Sequence, residues 1–228
     1  MTRLHHEFID DLDIVTIVSD RPWKQNCYLV MDRPTGELMI VDPGTDDPGL
    51  IDVIRDTGGD PRLLVVTHGH PDHIGGAARL GDEFGLDCLM SAEDERIVRH
   101  APMYAAVFGQ QKFRVPPRLR FTDGSDPRLG ARTVGITPVP GHTPGSVALS
   151  IGRLVFTGDT LFREHVGRTD FPLSDAGRLA RSVDEVLDSL PERAHLLPGH
   201  GRPWMGDEAR SWWAETGRPA AAATVDAP

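Results

Sequence analysis

Positions 67–73 of the chain read Thr67-His68-Gly69-His70-Pro71-Asp72-His73, directly after an apolar run at 63–66 that is typical of a buried strand. His68 and His70 are two residues apart, so in extended backbone their side chains share a face. The carboxylate and the third imidazole come where the loop turns into a helix, and they approach from another direction. Two ligand groups that are close in sequence and differently aimed are what a pair of adjacent metal ions needs.

Length and composition indicate a soluble globular protein. The chain has 228 residues, of which 39% are hydrophobic and 25% charged. We expect one domain over residues 1–218 and a disordered tail at 219–228. The net charge of −10 argues against a nucleic-acid binder and against binding to anionic membrane surfaces.

Cysteine usage and the lack of long apolar segments point to the cytoplasm. Cys27 and Cys88 are too few for a disulfide framework, so we expect two buried, reduced thiols. The beginning of the sequence lacks the design of a secretory signal. No apolar stretch approaches the ~18 residues that a membrane-spanning helix requires.

Short runs of β-branched and aliphatic residues between Pro and Gly turns predict the strands. An opening antiparallel meander is expected at 14–18, 27–31 and 38–41, with further strands at 63–66, 88–90, 134–139, 147–151, 154–156 and 195–197. Helices are predicted at 50–54, from 74 to about 84, and along an apolar stripe at 179–190 that Ser174 is placed to cap. Gly75 and Gly76 would let the backbone approach the metals. Two sheets flanked by helices fit this order.

The segment 93–120 has two interpretations. Its pattern is helical and then irregular, with Met103, Tyr104, Phe108 and Phe113 as large apolar or aromatic residues. It is either an inserted lid or pocket wall, or a helical connector that packs its aromatics into the core.

Three further candidate ligands follow apolar strands. His142 comes after 139–141, Asp159 after 155–158 and His200 after 196–199, each directly preceded by a glycine that lets the loop bend sharply. Together with the four residues of the first loop they make five His and two Asp. Seven ligands exceed one tetrahedral zinc site but suit two ions that share a carboxylate. The remaining histidines are expected to be ordinary surface or core residues: His5, His6, His100, His165 and His195.

At this point the chain resembles the metallo-β-lactamase superfamily, whose signature is T-H-x-H-x-D-H followed by distant His, Asp and His. The resemblance runs from the turn at 41–44 to about Trp213. Finer motifs are similar to the type II glyoxalase (hydroxyacylglutathione hydrolase) branch: Pro140-Gly141-His142-Thr143-Pro144-Gly145-Ser146, Thr157-Gly158-Asp159-Thr160-Leu161-Phe162, Gly167-Arg168-Thr169-Asp170-Phe171-Pro172 and Pro198-Gly199-His200-Gly201.

The resemblance implies a fold and a ligand set. The fold is α/β (α+β), an αββα sandwich of two mixed sheets flanked by helices. One metal would be held by His68, His70 and His142, the other by Asp72, His73 and His200, and Asp159 would bridge them. Asp42 and Thr67 are candidate partners that orient the imidazoles. The ions expected are two divalent metals, zinc first, although iron and manganese accept the same ligands.

The same resemblance implies hydrolysis of a small-molecule thioester, S-lactoylglutathione or a related acyl-thiol, by a metal-bridging hydroxide that Asp72 and Asp159 orient. Arg168 would help to hold the glutathione part. Two departures leave the acyl carrier open. Only 28 residues follow His200, whereas the classical enzyme adds a helical carboxy-terminal domain, and Asp170 stands at or near the place of an expected tyrosine.

Other functions share these ligands. A persulfide dioxygenase with a single iron has a Gly-Arg-Thr-Asp-Phe stretch like that at 167–171, and metal content with oxygen uptake would distinguish it. A lactonase would use the same site chemistry. A non-catalytic binding or electron-transfer module would bind metal without turnover. A true β-lactamase departs from the pattern at His73 and Asp159. The native metal, the thiol, the acyl group and the oligomeric state stay open.

Overall fold

Two mixed sheets organise the chain. The structure, a computed structural model, describes residues 3–20, 23–107, 114–121 and 125–216. The chain divides into two compact units, Met1–Val134 and Gly135–Pro228, and each carries one of the two large sheets. The expectation of a single domain over 1–218 stays a prediction, and the expected tail at 219–228 lies outside the described residues.

The first unit is built on a seven-stranded sheet whose strands lie in chain order. The strands are β1 Arg3–Ile9, β2 Leu12–Val18, β3 Asn26–Asp32, β4 Glu37–Val41, β5 Asp60–Val65, β6 Cys88–Met90 and β7 Leu119–Phe121. The pairs from β1 to β4 are antiparallel, which confirms the predicted meander, and those from β4 to β7 are parallel. Parallel neighbours require crossover segments, and helices supply them here. A short hairpin, β8 Arg128–Leu129 and β9 Arg132–Thr133, completes the unit.

The helices of the first unit are α1 Gly49–Asp56, α2 Pro71–Ile74, α3 Ala77–Phe84 and α4 Glu95–Val107, with a 3-10 turn at Ala92–Asp94 before α4. The continuous helix predicted from 74 to 84 is therefore wrong, because the chain breaks at Gly75 and Gly76. The break follows from close packing against the 43–45 turn. A Cβ on Gly75 would overlap the carbonyl oxygen of Gly44, and the amide of Gly76 donates to the carbonyl of Pro43 at 2.6 Å. The two glycines therefore let the backbone pack against the turn at 43–45, directly after the candidate ligands Asp72 and His73.

Helix α4 covers much of the segment with two interpretations. Its residues Ile97, Val98 and Ala101 are buried, and Val98 joins the core of the first unit. Met103 is 57% exposed. This part of the segment packs as a helical connector. The Tyr104 side chain, Phe108 and Phe113, whose packing would decide between the two interpretations, lie outside what the structure describes.

The second unit is built on a five-stranded sheet in the order β10-β11-β12-β15-β16. Its strands are β10 Gly135–Pro138, β11 Val147–Ile151, β12 Leu154–Gly158, β15 His195–Pro198 and β16 Trp204–Met205, and a small ribbon joins β13 Leu161–Phe162 to β14 His165–Val166. Only the β12–β15 pair is parallel. Helices α5 Ala176–Ser189 and α6 Gly206–Thr216 follow. Among the described residues, no helix has the length and apolarity to cross a membrane.

The predicted apolar stripe of α5 is confirmed, and its predicted cap is wrong by one residue. Leu179, Val183 and Val186 are buried in the core of the second unit. The residue before the helix is Asp175, whose Oδ1 accepts from the amide of Arg178 at 2.9 Å. Ser174 instead donates its hydroxyl to the carbonyl of His142 at 2.8 Å. Both residue types can cap, and the backbone of Asp175 has the extended conformation that the position requires.

Candidate metal centre

The first ligand cluster lies in the loop between β5 and α2. Nε2 of His68 lies 3.1 Å from Nδ1 of His70, and Nε2 of His73 lies 3.8 Å from Oδ2 of Asp72. The rings of His68 and His73 are 4.1 Å apart between centroids. The turn from extended backbone at His70 into α2 gives the four side chains their different directions, as the sequence predicts.

The donor spacing in this cluster fits a metal ion. Two ligands that bind one ion at about 2.0–2.1 Å with tetrahedral geometry lie about 3.3 Å apart. The His68 and His70 nitrogens have nearly this separation, and two imidazole nitrogens with adjacent carboxylates are good ligands for zinc, iron or manganese. The candidate ligand atoms of the pair His68 and His73, and of the pair Asp72 and His73, also lie within 4.8 Å.

Hydrogen bonds to buried groups hold the Nδ1 atoms of His68 and His73. Asp42 accepts from the Thr67 amide at 2.6 Å, from the Thr67 hydroxyl at 2.7 Å and from Nδ1 of His73 at 2.8 Å. Because the Thr67 hydroxyl donates to Asp42, it can accept from Nδ1 of His68, which is 3.2 Å away. Both imidazoles are thereby left with Nε2 as the ligand atom. Asp42 and Thr67 make the contacts that the sequence analysis expects of them.

A second buried carboxylate, which no local sequence signal indicates, holds the backbone of the loop. The amide of Gly69, between two ligands, donates to Oδ2 of Asp94 at 2.8 Å. Asp94 is fully buried just before α4. A Cβ on Gly69 would come within 3.0 Å of Val98 Cγ2 and 3.2 Å of Asp94 Cβ. The loop is therefore packed closely against α4, and only the folded chain brings these positions together.

The second cluster consists of three residues that follow strands of the other sheet. Oδ2 of Asp159 lies 3.5 Å from Nε2 of His142 and 3.6 Å from Nε2 of His200. The strands β12 and β15 are parallel neighbours, so Asp159 and His200 leave the same edge of the sheet. The amide of Gly199 donates to the carbonyl of Gly158 at 2.8 Å and joins the two loops. A carboxylate oxygen at this distance from two imidazole nitrogens can share a metal ion with either of them.

Main-chain groups fix His142 in place. Its Nδ1 donates to the carbonyl of Arg168 at 2.8 Å, which leaves Nε2 as the ligand atom, and its own carbonyl accepts from Ser174. A Cβ on Gly167 would overlap the carbonyl oxygen of Asp159 and lie 3.3 Å from Nδ1 of His142. A Cβ on Gly141 would overlap the backbone of Leu179 in α5, and Gly141 has a φ of 147°. These close approaches explain why glycine is needed at both positions.

Comparison with known proteins identifies the family of the chain. A family model, the metallo-beta-lactamase superfamily, matches residues 20–200. The chain belongs to the metallo-β-lactamase superfamily. The expected fold class, with two mixed sheets and helices, is confirmed by a solved structure, TTHA1623 in a di-iron-bound form, which superposes with a TM-score of 0.76 at 31% identity over 86% of this chain and 96% of the other.

Curated members of the superfamily are similar over most of their length. Hydroxyacylglutathione hydrolase GloC of Haemophilus influenzae is 33% identical, covering 86% of this chain and 95% of the relative. An uncharacterized protein of Mycobacterium tuberculosis is 35% identical, covering 77% of this chain and 85% of the relative. The similarity to hydroxyacylglutathione hydrolases supports a glyoxalase II-like branch of the superfamily and a hydrolase.

Arg168, the cation that the sequence resemblance expects to contact the substrate, is paired with Asp170. Nε and Nη2 of Arg168 donate to the two carboxylate oxygens of Asp170 at 2.9 and 2.6 Å. The guanidinium also lies 4.7 Å above the centroid of the Phe171 ring. Hydrogen bonding to Arg168 lowers the pKa of Asp170 below its ordinary value, because the guanidinium stabilises the ionised carboxylate.

The other histidines have surface or core surroundings. His6 pairs with Asp13, Nδ1 of His100 donates to the carbonyl of Arg96 at 2.7 Å, and His165 packs on Phe162. His5 is exposed, and His195 is half-buried in β15. These surroundings agree with the expectation from the sequence.

Proposed function

We propose that the chain is a metal-dependent thioester hydrolase of the hydroxyacylglutathione hydrolase type. The superfamily match and the relatives support a hydrolase with a small-molecule substrate. The observation that carries the proposal is the number of candidate ligands, four in one cluster and three in the other, because seven ligands exceed a single metal site and suit two ions that share a carboxylate.

The proposed centre combines both clusters. One ion would be held by His68, His70 and His142, and the other by Asp72, His73 and His200, with Asp159 as the common ligand. Support comes from the ring nitrogens, since hydrogen bonds to Thr67, Asp42 and the Arg168 carbonyl leave the Nε2 atoms of three imidazoles for coordination. Zinc is the proposed metal, and iron fits the same ligands, as in the di-iron-bound TTHA1623.

The chemistry divides between the ions and the protein. Bound divalent ions lower the pKa of water into the neutral range and polarise a thioester carbonyl. The carboxylates of Asp72 and Asp159 accept hydrogen bonds from the attacking water and orient it. The conjugate thiol of the leaving group has a pKa of about 8.5, so the thiolate departs without a strong general acid.

A covalent mechanism through cysteine is not supported. Burial raises the pKa of the Cys27 thiol far above its ordinary value, and burial does the same to Cys88. Neither thiol would supply a nucleophilic thiolate at neutral pH. Two buried thiols also fit a reducing compartment, and we propose a cytoplasmic location.

The test pairs metal analysis with S-lactoylglutathione hydrolysis. We expect about two metal ions per chain, and we expect His70→Ala or Asp159→Ala to reduce kcat/KM by at least about a thousandfold, because losing a ligand removes several kcal/mol of charge stabilisation. His165→Ala, a surface histidine, is the matched control and should behave like the wild type.

Two results would contradict the proposal. One is undiminished hydrolysis by a folded Asp159→Ala variant. The other is a single iron per chain together with oxygen uptake on glutathione persulfide, which would establish the persulfide dioxygenase suggested by residues 167–171.

A further inference from the structure

The loop with the first candidate ligands and the turn that carries Asp94 leave the first sheet side by side. Strands β5 and β6 are parallel neighbours, so the chain leaves both at the same end of the sheet. The amide of Val66 donates to the carbonyl of Leu89 at 3.0 Å and joins the two exits. Gly69 stands four positions after the end of β5 at 65, and Asp94 stands four positions after the end of β6 at 90. Asp94 therefore reaches the ligand loop directly from the neighbouring strand.

Asp94 is a fully buried carboxylate on a turn that is itself held in place. It ends the 3-10 turn Ala92–Asp94, and the hydroxyl of Ser91 before this turn accepts from the amide of Glu93 at 3.3 Å. Burying a carboxyl group is costly unless hydrogen bonds replace its contacts with water. The hydrogen bond from the Gly69 amide to Oδ2 of Asp94, at 2.8 Å, is such a replacement.

This hydrogen bond acts on the backbone between two candidate ligands. Gly69 joins His68 to His70, so a rotation of its amide would turn both imidazoles. Nε2 of His68 and Nδ1 of His70 are 3.1 Å apart, a separation that depends on this backbone. Val98, one helical turn after Asp94, closes the other approach, since its Cγ2 would lie 3.0 Å from a Cβ on Gly69. A polar and an apolar contact from one segment thus hold the same amino acid of the loop.

We propose that Asp94 is a positioning residue for the metal ion that His68 and His70 would hold, because through the Gly69 amide it fixes the directions in which the two imidazoles converge. The inference rests on the proposed metal centre. His73, a candidate ligand of the other ion, is held directly by Asp42 at 2.8 Å. Removal of the Asp94 carboxylate should therefore weaken the binding of one ion of the pair and leave the other nearly unchanged.

The main experiment measures metal binding and needs no catalysis. Chelator competition with Zn²⁺ should resolve two binding steps in the wild type. Asp94→Ala should weaken one of them about tenfold to a hundredfold, as is typical when a group that orients metal ligands is removed. The visible absorption of bound Co²⁺ responds to the number and geometry of its ligands, so it should change in the same variant. Asp94→Asn keeps an oxygen that can accept from the Gly69 amide, so it should recover most of the affinity and the wild-type Co²⁺ spectrum.

The matched control is Ser91→Ala, which alters the same turn and leaves the Asp94 carboxylate in place. It removes the hydroxyl that accepts from the Glu93 amide, so it should lower the stability of the fold. Both Zn²⁺ binding steps and the Co²⁺ spectrum should stay at their wild-type values. A general loss of stability is thereby separated from a loss of ligand orientation.

A second variant disturbs the same contact from the side of the ligand loop. A Cβ at Gly69 would lie 3.0 Å from Val98 Cγ2 and 3.2 Å from Asp94 Cβ, so Gly69→Ala should push the amide away from Asp94. It should weaken the same Zn²⁺ binding step. In the double variant with Asp94→Ala it should add little, because both substitutions act through one hydrogen bond. Gly69→Ala alone decides the question if Asp94→Ala does not fold.

The inference would be overturned by wild-type Zn²⁺ affinity and an unchanged Co²⁺ spectrum in a folded Asp94→Ala variant, or in Gly69→Ala if Asp94→Ala does not fold. Equal weakening of both binding steps, an equal loss in Ser91→Ala, or a wild-type chain that binds neither Zn²⁺ nor Co²⁺ would also overturn it. If the metal responses are as expected and the wild type does not hydrolyse S-lactoylglutathione, the positioning role of Asp94 stands and the proposed substrate is wrong.

Discussion

The two ligand clusters consist of the same residue types, His and Asp, and they differ in the groups that hold these residues in place. In the first unit, four candidate ligands come from one short loop, and buried side-chain carboxylates hold that loop: Asp42 binds Thr67 and His73, and Asp94 binds the Gly69 amide. In the second unit, three candidate ligands lie between positions 142 and 200, and they are held mainly by main-chain carbonyl groups and close glycine contacts. The first cluster therefore depends on a few side-chain carboxylates, whereas the second depends on contacts between the backbones of separate loops.

The largest effect should come from adding a methyl group to the second cluster. Gly167→Ala forces a Cβ into the Asp159 carbonyl, and Gly141→Ala forces one into the backbone of α5. Rigid backbone cannot yield as a side chain would, so we expect about 3 kcal/mol of destabilisation and loss of metal by the second cluster. Denaturant unfolding and metal analysis measure both.

The control for this prediction is Gly201→Ala, beside the ligand His200. Gly201 has a φ of 81°, and an added methyl group would meet no other atom within 4 Å. The substitution should cost only about 1 kcal/mol, from backbone conformation alone. Equal effects at Gly167 and Gly201 would show that close packing does not hold the second cluster.

A smaller effect is expected at the first cluster from Asp42→Asn. Asparagine tolerates the left-handed backbone of this position, where φ is 50°, so the substitution isolates the loss of the carboxylate. The side-chain NH₂ of the new asparagine cannot accept a hydrogen bond, so one of the buried donors loses its acceptor. This loss should lower the free energy of unfolding by about 2 kcal/mol. Poorer orientation of His73 should lower metal affinity about tenfold to a hundredfold, measured by chelator competition.

Asp32→Asn provides the comparison within the same unit. Asp32 is also buried, and its carboxylate accepts from the Thr35 hydroxyl at 2.7 Å and from Arg132 Nε at 3.2 Å. The substitution should destabilise the fold with metal affinity unchanged. Loss of affinity of the same size in both variants would mean that general destabilisation, and not orientation by Asp42, is responsible.

Smaller still are the effects of the two residues before α5. Asp175→Ala removes the helix cap and should cost about 1 kcal/mol of stability. Ser174→Ala removes one hydrogen bond to the His142 carbonyl, so it should cost about 0.5–1 kcal/mol and change activity more than Asp175→Ala does. The ratio of kcat/KM values in the two variants is the measurement, and a greater loss of activity in Asp175→Ala would contradict the assignment.

The last prediction concerns whether the two units unfold together, and here we expect no difference between two unfolding midpoints. Both cysteines are buried in the first unit, and three of the four tryptophans, Trp204, Trp212 and Trp213, belong to the second. If the chain is one domain, thiol labelling and tryptophan fluorescence should give the same midpoint in urea. Separate midpoints would contradict the prediction of a single domain over 1–218.

The sequence predicts those parts of the fold that have a local apolar pattern. Strands β2 to β6 are detected as short apolar runs between turn residues, and helix α5 is detected because its buried residues recur with helical spacing. Strand β1 is missed because its residues from His5 to Phe8 are exposed, which leaves no alternation to detect. Helix α6 and the short β16 are missed because few of their positions carry the apolar pattern of a core-facing element.

For the candidate site, the sequence identifies the candidate ligands, whose role stays a prediction, but it does not identify most of the groups that hold them. Each ligand follows an apolar strand and a glycine or a short loop, which is a local signal. The partners Asp94 and Ser174, and the Arg168 carbonyl, are identified only by long-range contacts. A main-chain carbonyl in particular has no sequence signature, because every residue has one.

The hydrogen bond from His142 to the Arg168 carbonyl has an evolutionary consequence. The loop holds the imidazole of His142 with a main-chain oxygen, while the side chain of Arg168 pairs with Asp170, so the two sets of contacts use separate atoms. Substitution at 168 or 170 can therefore change the charge of the loop while the imidazole keeps its orientation. Related chains could vary these side chains over time without rebuilding the contact that holds His142.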